Sequence, residues 1–459
     1  MQDPSQQRRF TRRKLVSSAA RFVAATSLAP IAAACVGAPT SSPSASATTT
    51  TAATATAKKL SGNLSILIWS HFVPAYDTYL QKFADDWGAK NGVKVTIDHV
   101  NQADLPARAA TEAGAKSGHD IFAHFAQGLP ALFENDLVDI SDICDAAGNK
   151  YGGWLDAAVS IGKVNGKWRG YPDFFIPFPS LWRKDAFTKA GMADGPKTWQ
   201  DLLDASPKLK ANGNPVGTSY AQNSDAEQTW RSLLWSFGGG EFSADGKSVT
   251  IDSAETRAAL TYAKNLLPNL DSAVLSWGDA DNNSCLQSGR CSWIYNPISA
   301  YRSIEGQNPQ PAFFKDLYVN LPMAGPKAQI CSIQWVVFGV WNFSKNIDAA
   351  KQFLTDYVPD FSAQAEASKG YNNPFLKDRL KKPMAVLGSD AKLSVLQDVA
   401  NNIRAIGYPG PATKAAFDSL NTHILPDMFT KYATNKSSID DAVAEAVTRL
   451  KASLAKFPV

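Results

Sequence analysis

Histidine and cysteine are scarce in this chain, with five of each in 459 residues. Neither CxxC nor a Cys/His cluster at zinc spacing occurs, so His119 and His124 read as ordinary strand-end residues and no metal site is expected. HExxH and GxSxG are also absent, which removes the zinc-protease and serine-hydrolase signatures. Adjacent carboxylates such as Asp85-Asp86 and Asp440-Asp441 fall on different helical faces and cannot form the facing pair, about 5–9.5 Å apart, of a glycosidase. No GxxxxGK[ST] follows Gly238-Gly-Gly240, so that stretch reads as a turn, not a phosphate cradle. No residue is singled out as catalytic and no cofactor is named, although missing motifs do not by themselves exclude glycosidase chemistry.

What the chain does have begins at its amino terminus. Arg8, Arg9, Arg12, Arg13 and Lys14 precede an uncharged stretch from Phe22 to Ala34 that ends at Cys35. Those thirteen residues rise about 20 Å as a helix, short of the ~30 Å hydrocarbon core, so the segment reads as an export leader and not a span. Residues 1–34 hold six Lys or Arg against one Asp, +5, so their removal takes the chain from +4 to −1. A body that near neutrality lacks the basic stripe nucleic acid requires. Val36 to Lys59 is almost wholly Ala, Thr, Ser, Pro and Gly and reads as a tether.

From about residue 60 the periodicity alternates between strand and helix. Leu64-Ser-Ile-Leu-Ile-Trp69 is a short apolar run, after which Tyr76, Tyr79, Leu80, Phe83 and Trp87 recur at helical spacing until Asn91-Gly92. Val93, Val95 and Ile97 alternate as a second strand, and His119-Asp-Ile-Phe-Ala123 reads as a third. This βαβαβ order predicts an open parallel sheet. Further on, Asn165-Gly166 predicts a two-residue hairpin, and Thr198 with Asp201, then Ser438, predict capped helices. Among the four remaining cysteines, which allow three pairings, Cys285 and Cys291 close a short loop that Gly289 can turn and are the preferred disulfide. Cys144 and Cys331 are expected as buried thiols.

Several blocks together resemble the bacterial extracellular solute-binding proteins of ABC importers, family 1 type, in their carbohydrate-binding branch. They are Gly118-His-Asp-Ile-Phe-Ala123 with Leu137-Val-Asp-Ile140, Val164-Asn-Gly-Lys-Trp-Arg-Gly-Tyr-Pro172, Ser180-Leu-Trp-Arg-Lys-Asp-Ala-Phe187 and Pro196-Lys-Thr-Trp-Gln-Asp-Leu-Leu203. Ala32-Ala-Ala-Cys35 likewise resembles a lipoprotein signal, in which Cys35 would be lipidated and become the first mature residue. Thr11-Arg-Arg-Lys-Leu15 resembles a twin-arginine motif, which leaves the export route open.

The resemblance implies an α/β, two-lobed periplasmic-binding-protein-like fold with three hinge crossings and a ligand cleft between the lobes. Residues 1–34 would be the signal and 35–60 the lipidated tether. Lobe 1 would take 61–173 with 326–360, and lobe 2 would take 174–322 with 375–459. Crossings are expected near Tyr171–Phe175, Leu321–Pro326 and Asp360–Pro374. The implied function is capture of a mono- or oligosaccharide by hinge closure, on the outer face of the membrane or in the periplasm. Delivery would be to ABC importer membrane subunits, by a monomer that touches the membrane through its lipid alone. A polyamine or a sugar phosphate is the alternative ligand, and an exported polysaccharide-acting enzyme the rival class.

Open α/β sheets bind at the carboxyl ends of their strands, so the loops after Trp69, Val100 and Ala123 should face the cleft. Sugars offer apolar C–H faces to aromatic rings and hydroxyls to amides and carboxylates. Of the twelve Trp, Trp87, Trp199 and Trp341 read as core, whereas Trp69 and Trp335 are expected against the ligand, Trp335 first. Trp230 and Trp277 lean toward the core. His71, Gln127, Asp173, Asp279, Tyr295, Asn296 and Asn373 complete the expected site.

Overall fold

The computed structural model describes residues 60–125, 128–359, 361–381 and 384–459, and of His124, Phe125 and Leu129 the backbone alone. The expected leader, Cys35, the tether, Gln127 and Asp360 lie outside the described residues. Strand β1 (Gly62–Trp69) buries Leu64, Ile66, Leu67 and Ile68 completely, as a strand covered on both faces must. The helix Ala75–Asn91 follows, burying Tyr76, Leu80, Ala84 and Trp87 on one face. It ends where Gly92 takes a left-handed φ of 69°, the conformation glycine supplies without strain.

Strand β2 (Val93–Val100) then lies parallel to β1 from Gly62↔Val93 through Trp69↔Val100, so the carboxyl ends of the two finish side by side. Strand β3 (Ile121–Phe125) pairs in parallel on the other edge of β1. The Asn165-Gly166 turn, with φ of 50° and 76°, joins β4 (Lys163–Val164) to β5 (Lys167–Trp168). Strand β6 (Tyr171–Pro177) leads into β7 (Ser180–Arg183), followed by β8 (Val216–Gly217), β9 (Trp293–Tyr295) and β10 (Leu317–Asn320). The last strands are β11 (Cys331–Val340), β12 (Asn373–Pro374) and β13 (Ile403–Arg404).

Two principal sheets result. One runs β12-β6-β11-β3-β1-β2 with β13 paired to β11, and the other runs β10-β7-β9-β8. Neither is purely parallel. In the first, β11 is antiparallel to both β3 and β6. The expected open parallel run is thus limited to β1, β2 and β3, with one further parallel pair between β11 and β13. The added strands β6 and β11 are the legs of the connections to the second sheet, and their direction follows from that route, which periodicity does not report.

The passages between sheets fall between Pro177 and Ser180 and between Asn320 and Cys331. Tyr171–Phe175, expected at the first crossing, is held inside β6 by pairing with β11, so the chain leaves the first sheet later than its sequence suggested. Leu321–Pro326 does fall in the second passage. In the second half Thr198 and Asp201 form a reciprocal capping box on the helix Trp199–Ala211, and Ser438 caps Ile439–Lys456. Cys285 and Cys291 form a disulfide, while Cys144 and Cys331 are free and buried. No helix among the described residues is long and apolar enough to cross a membrane.

Candidate ligand-binding cleft

A cavity of about 960 Å³ opens at the carboxyl ends of β1 and β2. This lies at the upper end of the size range of small-molecule sites. One wall comes from the residues just past these strands: Trp69, His71 and Phe72 after β1, and Asn101 and Gln102 after β2. The Trp69 ring lies 5.2 Å from that of Phe72, and Phe72 is one of few large apolar side chains left exposed, at 37%. Asn101 turns the chain by accepting the Ala103 N–H at 3.0 Å, which sets Gln102 over the cavity.

The facing wall is built by the start of the helix Ser224–Phe237, the segment Gly278–Asp281, and Leu420 to His423. Asn223 caps that helix by accepting the Ala226 N–H at 2.8 Å. Asp279 Oδ1 takes the Asp225 N–H at 3.0 Å, which sets a carboxyl at the positive end of the helix. Its other oxygen accepts the Gln102 amide at 3.2 Å, a hydrogen bond that spans the cavity from one wall to the other.

Burial sets the charge states here. His71 is 4% exposed, and desolvation pulls it down to about 4 against hydrogen bonds with Asn372 and Val73, so it is neutral at physiological pH. Nδ1 faces both the Val73 N–H at 2.9 Å and the Val73 carbonyl at 3.1 Å, and Nε2 stands 3.0 Å from Asn372 Oδ1. His423 is also disfavoured as a cation by burial, but Glu227, 3.1 Å away, outweighs this and raises it. Glu227 in turn pairs with Arg231 at 2.9 Å, and Arg231 with Glu241 at 3.0 Å. Desolvation raises Asp279 and raises Asp225 further, since Asp225 also feels the charge of Asp279.

Of the residues expected at a site, Trp69, His71 and Asp279 line this cavity. Trp335 does not: it is 1% exposed and packs edge-on to Phe417 at 6.2 Å. Strand alternation explains this, because the preceding residue, Gln334, reaches Ser224 of the cavity wall at 2.8 Å and Trp335 faces the opposite way. Asn373 is likewise one position off, being paired with Phe175 in β12 while Asn372 holds His71. Tyr295 is core, with its ring 5.2 Å from that of Trp199. Asn296 stands behind the wall, joined to it through Asn282, which donates to both Asn296 and Asp225. Trp230 stacks on Phe429 in the core.

Asp173 is buried away from the cavity at 1% exposure, with the Tyr76 hydroxyl 3.5 Å away. Desolvation raises its carboxyl well above the usual range. The folded state therefore keeps a proton that the unfolded chain releases, and stability falls as pH rises above the unfolded value of about 3.9. Asp173→Asn removes that penalty. Its melting temperature should exceed the wild type's at pH 8 and converge with it near pH 4; a wild-type advantage at pH 8 would refute the assignment.

Sequence reasoning missed Phe72, Gln102, Glu227, Asp281 and His423. The position of Gln102 just after a strand end was the available signal. Glu227 and His423 meet across nearly two hundred positions and left none.

The chain matches the family described as bacterial extracellular solute-binding protein over residues 73–367. It is 25% identical over 394 residues to a probable ABC transporter-binding protein of Deinococcus radiodurans, covering 82% of this chain and 90% of that one. Its fold is similar to that of maltose-bound MalE3 of T. maritima, with a TM-score of 0.71 and 21% identity over 85% of this chain and 99% of that one. A solute-binding protein of Thermotoga lettingae bound with α-D-tagatose superposes with a TM-score of 0.74 and 18% identity, covering 86% and 100%. A strand-end cavity between two α/β sheets, together with a family match over most of the chain, places this protein among the bacterial extracellular solute-binding proteins.

Proposed function

We propose that the protein is the solute-binding component of an ABC import system and that it captures a mono- or oligosaccharide in the cavity between its two sheets. The single observation that carries this reading is the cavity itself, where the aromatic residues Trp69 and Phe72 stand opposite the polar side chains Asn223, Asp279 and Asp281. Such a wall suits a ring with an apolar C–H face and a hydroxyl rim. The maltose- and tagatose-bound proteins of similar fold support the same ligand class.

The lobes follow the two sheets, and closure turns on the strand passages between them. Gln102 bonds Asp279 and Lys414 lies 3.3 Å from Glu134, contacts that opening of the lobes would break. The amino terminus serves export, Cys35 carries the lipid, and residues 36–59 form a tether to the membrane surface. More than one acyl chain, each buried CH₂ contributing about 0.8 kcal/mol, anchors such a protein stably. Solute binding here involves no bond making or breaking.

The test is a thermal-shift screen of neutral saccharides, polyamines, amino acids and sugar phosphates. A ligand at 100 times its Kd adds about 2.7 kcal/mol, a readily seen rise in midpoint. Calorimetry on Phe72→Ala should then show about a tenfold or greater loss, since burying a phenylalanine contributes about 1.5–3 kcal/mol. Because Phe72 is exposed, the ligand-free variant should melt as the wild type does. Shifts by amino acids alone, or unchanged saccharide affinity in the variant, would sink the reading.

A further inference from the structure

Carboxyls outnumber cations on the cavity wall. Glu227, Asp279 and Asp281 line it, and among the described residues no lysine or arginine does. Two lining histidines do not redress this. His71 is neutral, and His423 is engaged with Glu227. Arg231 is fully buried and divided between Glu227 and Glu241. Arg231 and His423 thus offset Glu227 and Glu241, and no ion pair joins Asp279 or Asp281 to a cation among the described residues.

Each of these two acids has local hydrogen bonds. Asp279 takes the Asp225 N–H at the start of a helix, and Asp281 accepts the Gly278 N–H at 2.7 Å. Those contacts fill lone pairs with neutral donors and supply no ion pair. Asp225, 6% exposed, adds a third carboxyl directly behind Asp279 and is held by the Asn282 amide at 2.7 Å. A cavity with this lining repels an anion, so a sugar phosphate is the least suited of the candidate ligands.

An independent feature asks for a donor. Gln102 is 7% exposed and lines the cavity, and its amide nitrogen is committed to Asp279. Its carbonyl oxygen is buried without any hydrogen-bond partner. Buried acceptors without donors are costly, and in binding sites they mark where a ligand group completes the network. On the same side Phe72, backed by Trp69, offers an exposed aromatic face, which attracts cations as well as C–H groups.

We infer that the solute is a saccharide bearing a free amino group, whose ammonium is held by Asp279, Asp281 and the Gln102 carbonyl oxygen while its ring lies against Phe72. This rests on the saccharide reading above. A protonated amine supplies three donors and the missing positive charge, whereas a hydroxyl supplies one donor and no charge.

The experiment is calorimetric titration at pH 7 with matched pairs: glucosamine and glucose, galactosamine and galactose, mannosamine and mannose, and the β-1,4 glucosamine disaccharide and cellobiose. In any pair that binds, the amine should bind at least tenfold tighter. Asp281→Asn, at an exposed position that should tolerate the change, should weaken the amine far more than its neutral partner and so erase most of that preference. A neutral sugar that binds as tightly as its amine, or a preference that survives in Asp281→Asn, overturns this inference and leaves the saccharide reading standing. Spermidine binding tighter than every amino sugar overturns it in favour of a simple polyamine. Absence of binding across all pairs at millimolar concentration overturns this inference, and the saccharide reading then stands or falls on the thermal-shift screen.

Discussion

Replacing Arg231 with methionine is expected to destabilise the protein by about 3–5 kcal/mol. The guanidinium is 0% exposed and its partners Glu227 and Glu241 are each 1% exposed, so removing it strands two carboxylates in an interior that cannot solvate them. Ser419 donates to Glu241 at 2.5 Å and His423 pairs with Glu227, but neither replaces a bidentate cation. Denaturant titration should show a lower midpoint at an unchanged slope. Adding Glu241→Leu to the methionine variant should recover part of the loss, because one of the two stranded charges is then gone. A loss below about 1 kcal/mol, the range of exposed pairs, would mean that water reaches this cluster.

Converting both Cys285 and Cys291 to serine should cost about 2 kcal/mol, the loop-closure value for so short a loop, with a sequence separation of six. The effect should extend to the cleft. Cys285 lies in the helix Asp281–Gln287, and the segment Gly278–Asp281 at its start forms part of the cavity wall. Trp277, at the head of that segment, and Cys291 both pack against Gly217, where a β-carbon would lie 2.7 Å from the cysteine sulfur. The expected result is a lower melting temperature together with several-fold weaker ligand binding, each reproduced by reducing the wild type. Unchanged affinity in a destabilised double variant would show that the wall is held by packing alone.

The opening strands, their helix and the loops after Trp69 and Val100 were legible because they rest on local patterns. Apolar period, a left-handed glycine stop and a strand-end loop all lie within a few residues of the side chains they position. Those loops led to Trp69 and His71 on the cavity wall. Trp335 and Asn373 were misplaced by a single position each, since a strand turns successive side chains to opposite faces and its phase depends on its partner. Asp173 looked like a loop residue open to a cleft, yet β6 continues through it and seals it inside.

By itself the sequence determined the α/β alternation, the capped helices, the hairpin turn and the resemblance that led to the family. Composition and short-range spacing are enough for all of these. Tertiary structure decided the mixed pairing of the first sheet, the point at which the chain crosses to the second, and the polarity of the cleft. Gln102 meets Asp279, Glu227 meets His423, and Arg231 meets Glu241 and Glu227 only after the two sheets are assembled. Charges left over in a cavity depend on which partners are consumed in the fold, and that balance is a property of three-dimensional neighbours, not of order along the chain.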